Sequence, residues 1–251
     1  MVSKKFLIPI LFLILIITAC SGTIDTSQFT ADDYYKYAMD LYNSEDYEEA
    51  LTQFQNLILQ FPGSSVNDDA QYYLGMTYVK REQYLLAAYE FSKLIRNIPA
   101  SPFVPESQFM LAECYYQLSP PYQLDQSYTT KAVEEFQAFI DFFPSNAKVE
   151  EAEKKINEMN EKLAEKDYKS GYIYEKMEYD IAAMKYYTQV FEVYHDTKYA
   201  PMALYNKIMI EVKRKMKNEA YADISTFLAR YPNDTNAKEL QELETSLTSP
   251  N

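Results

Sequence analysis

The sequence predicts an all-α protein, an α-solenoid of five helix pairs (about ten helices) wound into a right-handed superhelix. Three observations support this prediction. One residue pattern recurs five times along the chain. Each copy is long enough for two helices and usually ends in a proline. The 251 residues include only four glycines, too few for the tight turns of a β-rich fold.

The second helix of each repeat is marked by an alanine, an aromatic or aliphatic residue four positions later, and usually a proline eight positions after that. A step of four places the first two residues on one face of a helix. The proline ends the helix, because it lacks an N–H and restricts the residue before it. The five sets are Ala50-Phe54-Pro62, Ala87-Phe91-Pro99, Ala132-Phe136-Pro144, Ala183-Tyr187-His195 and Ala220-Ile224-Pro232.

The first helix of each repeat is marked by a small residue followed three positions later by tyrosine, clearly at Gly75, Ala112 and Gly171 and in degraded form at Ala38 and Ile208. Glycine inside a helix costs about 1 kcal/mol relative to alanine. We therefore expect the paired helix to approach closely here. These landmarks match the tetratricopeptide pattern, with repeats beginning near Ala31, Asp68, Pro105, Ala164 and Pro201.

Two departures interrupt the regular spacing. Repeat three carries an insertion at residues 118–126, which contains Pro120 and Pro121. Residues 147–163 carry apolar residues at helical spacing, which extends the first helix of repeat four to about residues 147–175. The predicted organisation is therefore a tether at 20–30, repeats one to three at 31–146, the long helix with repeats four and five at 147–244, and a disordered tail at 245–251.

The first nineteen residues are predicted to be a lipoprotein signal peptide. Two lysines precede an apolar run at residues 6–17. This run is shorter than the roughly 20 residues that a membrane-spanning helix needs. It ends in Ile17-Thr18-Ala19-Cys20, which resembles a lipobox, so Cys20 is expected to carry acyl chains such as palmitate. An ordinary secretory signal with a chance cysteine is the alternative. Ser21 in place of aspartate favours the periplasmic face of the outer membrane.

Composition and motifs argue against catalysis, metals, cofactors and nucleic acid. The net charge of −13 opposes phosphate backbones. The single histidine, His195, occupies the place of the helix-ending proline and is expected in a surface turn. Metal-ligand spacings are absent from the sequence, and Cys114 is expected to be buried on a helix. We therefore predict a binding protein and not an enzyme.

A peptide-binding groove is predicted along the first helices, which line the concave side of such arrays. The fifth residue of each first helix is aromatic. Tyrosine, phenylalanine and methionine offer large apolar contact areas. The same residue types also fill the space between stacked repeats, and the sequence leaves both interpretations open. The predicted groove residues are Tyr35, Met39, Tyr42, Tyr72, Tyr73, Met76 and Phe109.

Three passages resemble the BamD family (also called YfiO or ComL), lipoproteins of the outer-membrane β-barrel assembly (BAM) complex: residues 115–121, 124–136 and 163–168. The resemblance implies a scaffold that bridges a BamA-like insertase, unfolded β-barrel precursors and other lipoproteins of that complex during protein insertion into the membrane. It also implies that the N-terminal repeats take C-terminal segments of barrel proteins and that the C-terminal repeats dock the insertase.

Other functions remain open from the residues alone. One is a different periplasmic tetratricopeptide lipoprotein that scaffolds Tol–Pal or peptidoglycan machinery. Another is a glycan-binding lipoprotein, against which the lack of tryptophan argues. A wall hydrolase would need a catalytic carboxylate, and Glu106 and Glu113 are the carboxylates to test.

Overall fold

The structure, a computed structural model, describes residues 26–248. The predicted signal peptide, Cys20, the first half of the tether and the last three residues lie outside this range. The described residues form eleven α-helices, which confirms the all-α fold class. They are α1 Ala31–Asn43, α2 Tyr47–Gln60, α3 Asn67–Lys80, α4 Tyr84–Asn97, α5 Val104–Leu118, α6 Ser127–Phe142, α7 Val149–Lys176, α8 Asp180–Val193, α9 Tyr199–Lys213, α10 Lys217–Arg230 and α11 Ala237–Thr248.

The first ten helices form five hairpins, α1–α2 to α9–α10, and each helix packs mainly against its neighbours in the chain. The core is accordingly a row of apolar clusters, each shared by adjacent hairpins. The sequence prediction missed α11, which packs on α10. Residues 245–248, expected in a disordered tail, continue this helix. Among the described residues, no helix combines the length and apolarity that crossing a membrane requires.

The two helices of most hairpins are joined by the same short turn. The second residue after the first helix has a left-handed backbone with φ near 60°, and the next N–H bonds a carbonyl five residues earlier at 2.9 Å. This is the Schellman arrangement that satisfies the last carbonyls of a helix. Glycine usually occupies the left-handed position, yet here it is filled by Glu45, Glu82, Glu178 and Lys215.

A second recurrent turn, which contains the landmark proline, joins each hairpin to the next one and joins the last hairpin to α11. In all five, the residue before the proline position accepts a hydrogen bond from the N–H three residues later, at 2.9–3.0 Å. Proline suits the second position of such a turn because its φ is already fixed near the required value. His195 fills that position in repeat four and is exposed, as predicted.

The landmark glycines lie where two helices of a hairpin touch. A Cβ placed on Gly75 would meet the Phe91 ring at 2.7 Å, and one on Gly171 would meet the Tyr187 ring at 2.8 Å. Both aromatic residues are fully buried. The expected close approach of the paired helix is therefore present.

The long helix α7 spans two structural units. Its first half packs on α6 of repeat three, and its second half pairs with α8. Lysines spaced seven apart attach the first half to α5: Lys148 Nζ lies 2.5 Å from Glu106, and Lys155 Nζ lies 2.7 Å from Glu113. The insertion, seen as the loop 119–126, is held by the same helix.

The chain just before α1 folds onto that helix, although it was expected to belong to the tether. The Tyr34 hydroxyl donates a hydrogen bond to the Thr26 carbonyl at 3.3 Å. The Phe29 ring packs edge-on against Tyr34 and Tyr37. Thr30 caps the helix together with Asp33. The described part of the tether is thus an ordered start to repeat one.

Candidate protein-binding surfaces

The fifth-position aromatic residues lie where the first helices of neighbouring repeats contact each other. Each contacts a residue that lies in the first turn of the next first helix or just before it. Tyr72 stacks on Phe103 with ring centroids 4.6 Å apart, and Tyr168 faces Tyr199 at 5.5 Å. The stripe predicted from the sequence therefore contributes to packing between repeats, one of the two interpretations that the sequence left open.

In repeats one and two, these side chains are only partly buried. The Tyr73 ring contacts both Tyr35 and Tyr42, with centroid distances of 6.4 and 5.6 Å, and Met39 packs into the same cluster. Tyr72 lies 5.3 Å from Tyr73 and joins this group to the next cluster. We call the partly exposed group the N-terminal aromatic surface; it comprises Tyr35, Met39, Tyr42, Tyr72, Tyr73 and Met76.

Phe109 does not belong to that surface, which corrects one predicted groove residue. Its side chain is only 3% exposed and packs edge-on against Phe136 and Phe139. The Lys148 ammonium lies 4.5 Å from the centre of its ring. The sequence pattern could not show this, because the covering side chains come from α6 and from Lys148, the residue just before the extended helix α7.

Phe103 is a member of the surface that the sequence analysis missed. It is partly buried and stacks on Tyr72, beside Tyr73 at 6.4 Å. Its position just before α5, between Pro102 and Pro105, resembles an ordinary turn. A comparison of successive repeats could have found it, because Tyr199 stands at the matching place in repeat five.

Acidic groups border the N-terminal aromatic surface. The Tyr35 hydroxyl donates a hydrogen bond to Asp69 at 3.5 Å, and Ser101 donates one to Asp68 at 2.7 Å. Burial and the neighbouring Asp68 raise the pKa of Asp69. Burial, followed by the charge of Asp69, raises the pKa of Tyr35 well above its usual range. The hydroxyl therefore remains a donor at physiological pH, and the local charge is negative.

A second candidate surface lies at the turns of repeats four and five. Three exposed apolar side chains cluster at the first turn: Met177 at 55%, Tyr179 at 57% and Ile181 at 61% exposure. The buried Asp180 connects this turn to the next, because Lys213 lies 3.0 Å and Arg214 3.6 Å from its carboxylate. We call Met177, Tyr179, Ile181, Lys213 and Arg214 the turn edge. Exposed apolar groups beside basic ones are typical of a surface that binds another macromolecule.

The remaining candidates for chemistry have structural partners. Glu113 forms an ion pair with Lys155 of α7, and Glu106 forms one with Lys148, the residue just before that helix. His195 lies beside Asp196 in its turn. Cys114 is fully buried, and burial raises the pKa of its thiol to about 12. Across residues 26–248, no group of three potential metal ligands comes together.

Comparison with known proteins identifies a family model. The model described as YfiO, outer membrane lipoprotein, matches residues 27–228. A curated relative is the outer membrane protein assembly factor BamD of Rickettsia prowazekii (strain Madrid E), which is 25% identical over 231 residues. The alignment covers 91% of this chain and 92% of that protein.

Solved structures of tetratricopeptide proteins are also similar to the chain. A repeat protein from Bacteroides fragilis is 12% identical, with a TM-score of 0.47 over 87% of this chain and 99% of that one. A thermophilic repeat protein from Thermus thermophilus is 18% identical, with a TM-score of 0.37 over 87% and 98% of the two chains.

Proposed function

The chain belongs to the YfiO family of outer membrane lipoproteins, and we propose that it is a non-enzymatic adaptor in the assembly of outer-membrane β-barrel proteins. The observation that supports this most strongly is the match to a named assembly factor over nine-tenths of both chains. The adaptor is anchored through acylated Cys20 and faces the periplasm. Its partners are a BamA-like insertase, other lipoproteins of the same complex and unfolded barrel precursors.

The turn edge is the proposed docking surface for the insertase. Its apolar side chains lie on repeat four, and its lysine and arginine lie on repeat five. A partner that matches it presents apolar residues beside carboxylates. Residues at the centre of such a contact contribute most of the binding free energy, while the charged rim affects mainly association rate and specificity.

Copurification from gently solubilised envelopes tests this docking. The native lipoprotein is expected to recover a BamA-like barrel protein in stoichiometric amount, and Ile181→Asp is expected to abolish recovery. Leu59→Asp is the matched control, since Leu59 is an 80% exposed apolar residue on α2. Recovery of Tol–Pal or wall-synthesis proteins without an insertase would contradict the assembly function.

The N-terminal aromatic surface is the proposed site for barrel precursors. Aromatic rings with hydroxyl tips can bind a segment that carries apolar residues and a terminal aromatic residue. Asp68 and Asp69 border the site, so a free C-terminal carboxylate close to them would be repelled. The rings of the segment, and not its terminal charge, are therefore proposed to make the contact.

Fluorescence anisotropy with a labelled ten-residue barrel C-terminal peptide tests this site. Tyr35→Ser is expected to weaken binding at least fivefold, whereas Tyr35→Phe retains most of it. Tyr205→Ser, the equivalent change in repeat five, is the control. A C-terminally amidated peptide is expected to bind as well as the free acid or better. Equal affinity of the Tyr35→Ser variant and the native protein would exclude this surface as the site.

A further inference from the structure

Repeat five holds a partly buried cluster of charges between its two helices, in which Glu211 is buried and Lys207 and Asp223 are partly exposed. Glu211 stands where repeats two, three and four carry the landmark tyrosine, and the residue is only 2% exposed. Lys207, one turn earlier on α9, places its Nζ 3.4 Å from Glu211 Oε1. The same Nζ lies 2.5 Å from Asp223 Oδ2 on α10. The ammonium of Lys207 thus pairs with two carboxylates, one on each helix of the hairpin.

When both carboxylates are ionised, the cluster carries two negative charges and one positive charge, although Glu211 is buried. Oε2 of Glu211 is shielded from solvent and accepts no hydrogen bond. A buried carboxylate without enough donors is costly, and two carboxylates that share one site do not both ionise readily. One added proton resolves this excess, because a protonated Glu211 can donate a hydrogen bond to Asp223.

We propose that Glu211, Lys207 and Asp223 form a proton-operated latch, which holds α9 and α10 together when Glu211 is protonated and loosens the hairpin when it ionises. In the closed state, the proton joins Glu211 to Asp223, and Lys207 bonds both. In the loosened state, two carboxylates compete for Lys207, and water entry relieves their repulsion.

The other helices packed against α9 bring different groups to it. Tyr168 on α7 and Tyr187 on α8 accept hydrogen bonds from Asn206. Asp180 on α8 pairs with Lys213 at the far end of the helix. The charged groups that act on Glu211 are Asp223 and Lys207.

The direction of the pH effect follows from the buried carboxyl. Burial, followed by the charge of Asp223, raises the pKa of Glu211 from 4.5 to about 7. A raised acid pKa means that the closed hairpin binds the proton more tightly than the opened one. The closed state is therefore most favoured at low pH, and this advantage is lost as the pH rises through 7.

The latch has a consequence for the proposed docking of the insertase, and this step rests on the proposed function. The turn of the same hairpin carries Lys213 and Arg214, which belong to the turn edge. Ionisation of Glu211 therefore loosens the hairpin that presents the basic half of that surface.

Hydrogen–deuterium exchange of the full chain at pH 6 and pH 8, corrected for intrinsic exchange rates, tests the latch itself. Peptides from α9 and α10 are expected to lose about tenfold in protection between the two pH values, as a shift from 4.5 to about 7 requires. Glu211→Gln is expected to keep the high protection at both values, because the amide retains a donor for Asp223. Asp223→Asn is expected to reduce the pH effect without abolishing it, since Glu211 then pairs with Lys207 alone but remains buried.

Glu192→Gln, which alters an exposed carboxylate on α8, is the control and should keep the tenfold effect. A tenfold effect that persists in Glu211→Gln would overturn the latch, and so would a native chain whose repeat five shows none. Because no partner is present, this result does not depend on whether the insertase docks at the turn edge.

Discussion

At the scale of single residues, the hairpins depend on small side chains at the points where two helices touch. Gly75 and Gly171 face the rings of Phe91 and Tyr187 at distances that leave no room for a methyl group. Each ring is fully buried and cannot swing into solvent. The free-energy cost of glycine in a helix is therefore offset by the burial of a large aromatic side chain.

Gly75→Ala is expected to destabilise the protein by about 1–3 kcal/mol, because the added Cβ would overpack against Phe91. Urea unfolding followed by circular dichroism measures the change. Gly63→Ala is the control, since a Cβ there would have no neighbour within 4 Å. Equal stability of the two variants would mean that the close approach of the helices does not require glycine.

At the scale of secondary-structure elements, two turns recur and fix the period of the array. The turns within hairpins use charged residues in the left-handed conformation, and those between hairpins use a hydrogen-bonded turn around proline. Both depend on local sequence, which explains why the hairpins could be predicted. The contacts between repeats could not, since they depend on how neighbouring helices are rotated, as the burial of Phe109 illustrates.

His195→Pro is expected to stabilise the protein by about 0.4–1 kcal/mol, because proline restricts the unfolded chain and already fits four equivalent turns. Thermal unfolding measures the gain. Asp196→Pro provides the contrast, since proline is disfavoured at the third position of such a turn. If His195→Pro lowered the unfolding temperature, the equivalence of the five turns would be refuted.

Lys155→Gln is expected to cost about 1–3 kcal/mol, because it removes both the ion pair with Glu113 and the contact over the Tyr116 ring, 4.2 Å away. Chemical denaturation is the measurement. The neighbouring Lys154 is exposed, so Lys154→Gln should change stability by less than about 0.5 kcal/mol. Similar losses in both variants would indicate a general charge effect and not a joint between α5 and α7.

At the scale of the whole molecule, each helix packs mainly against its neighbours in the chain, and α11 covers the C-terminal end of the last hairpin. Helix α11 occupies the place of a sixth first helix: Tyr205 bonds Glu239 across 34 positions, as Tyr35 bonds Asp69. Its Leu240 is fully buried against repeat five, whereas Gln241 and Glu242 are exposed. The sequence analysis missed this helix because it lacks the small residue and the partner helix of a full repeat.

Leu240→Ala is expected to lower stability by about 2–4 kcal/mol through the cavity that it leaves. In a quasi-one-dimensional array the loss should be local. Hydrogen exchange should therefore speed up in α9 and α10 while repeats one and two keep their protection. Gln241→Ala serves as the neutral comparison. Uniform loss of protection along the chain would instead indicate a single cooperative unit.

The long helix α7 also distinguishes the observed docking register from one that is shifted by a repeat. Near-identical repeats can dock one unit out of step. Here, such a slip would set Lys155 against Met76 in place of Glu113, because the two positions are 37 residues apart in the repeat pattern. A lysine would then lie unpaired against an apolar side chain, which is unfavourable. The ion pair between Lys155 and Glu113 therefore favours the observed register over one that is shifted by a repeat.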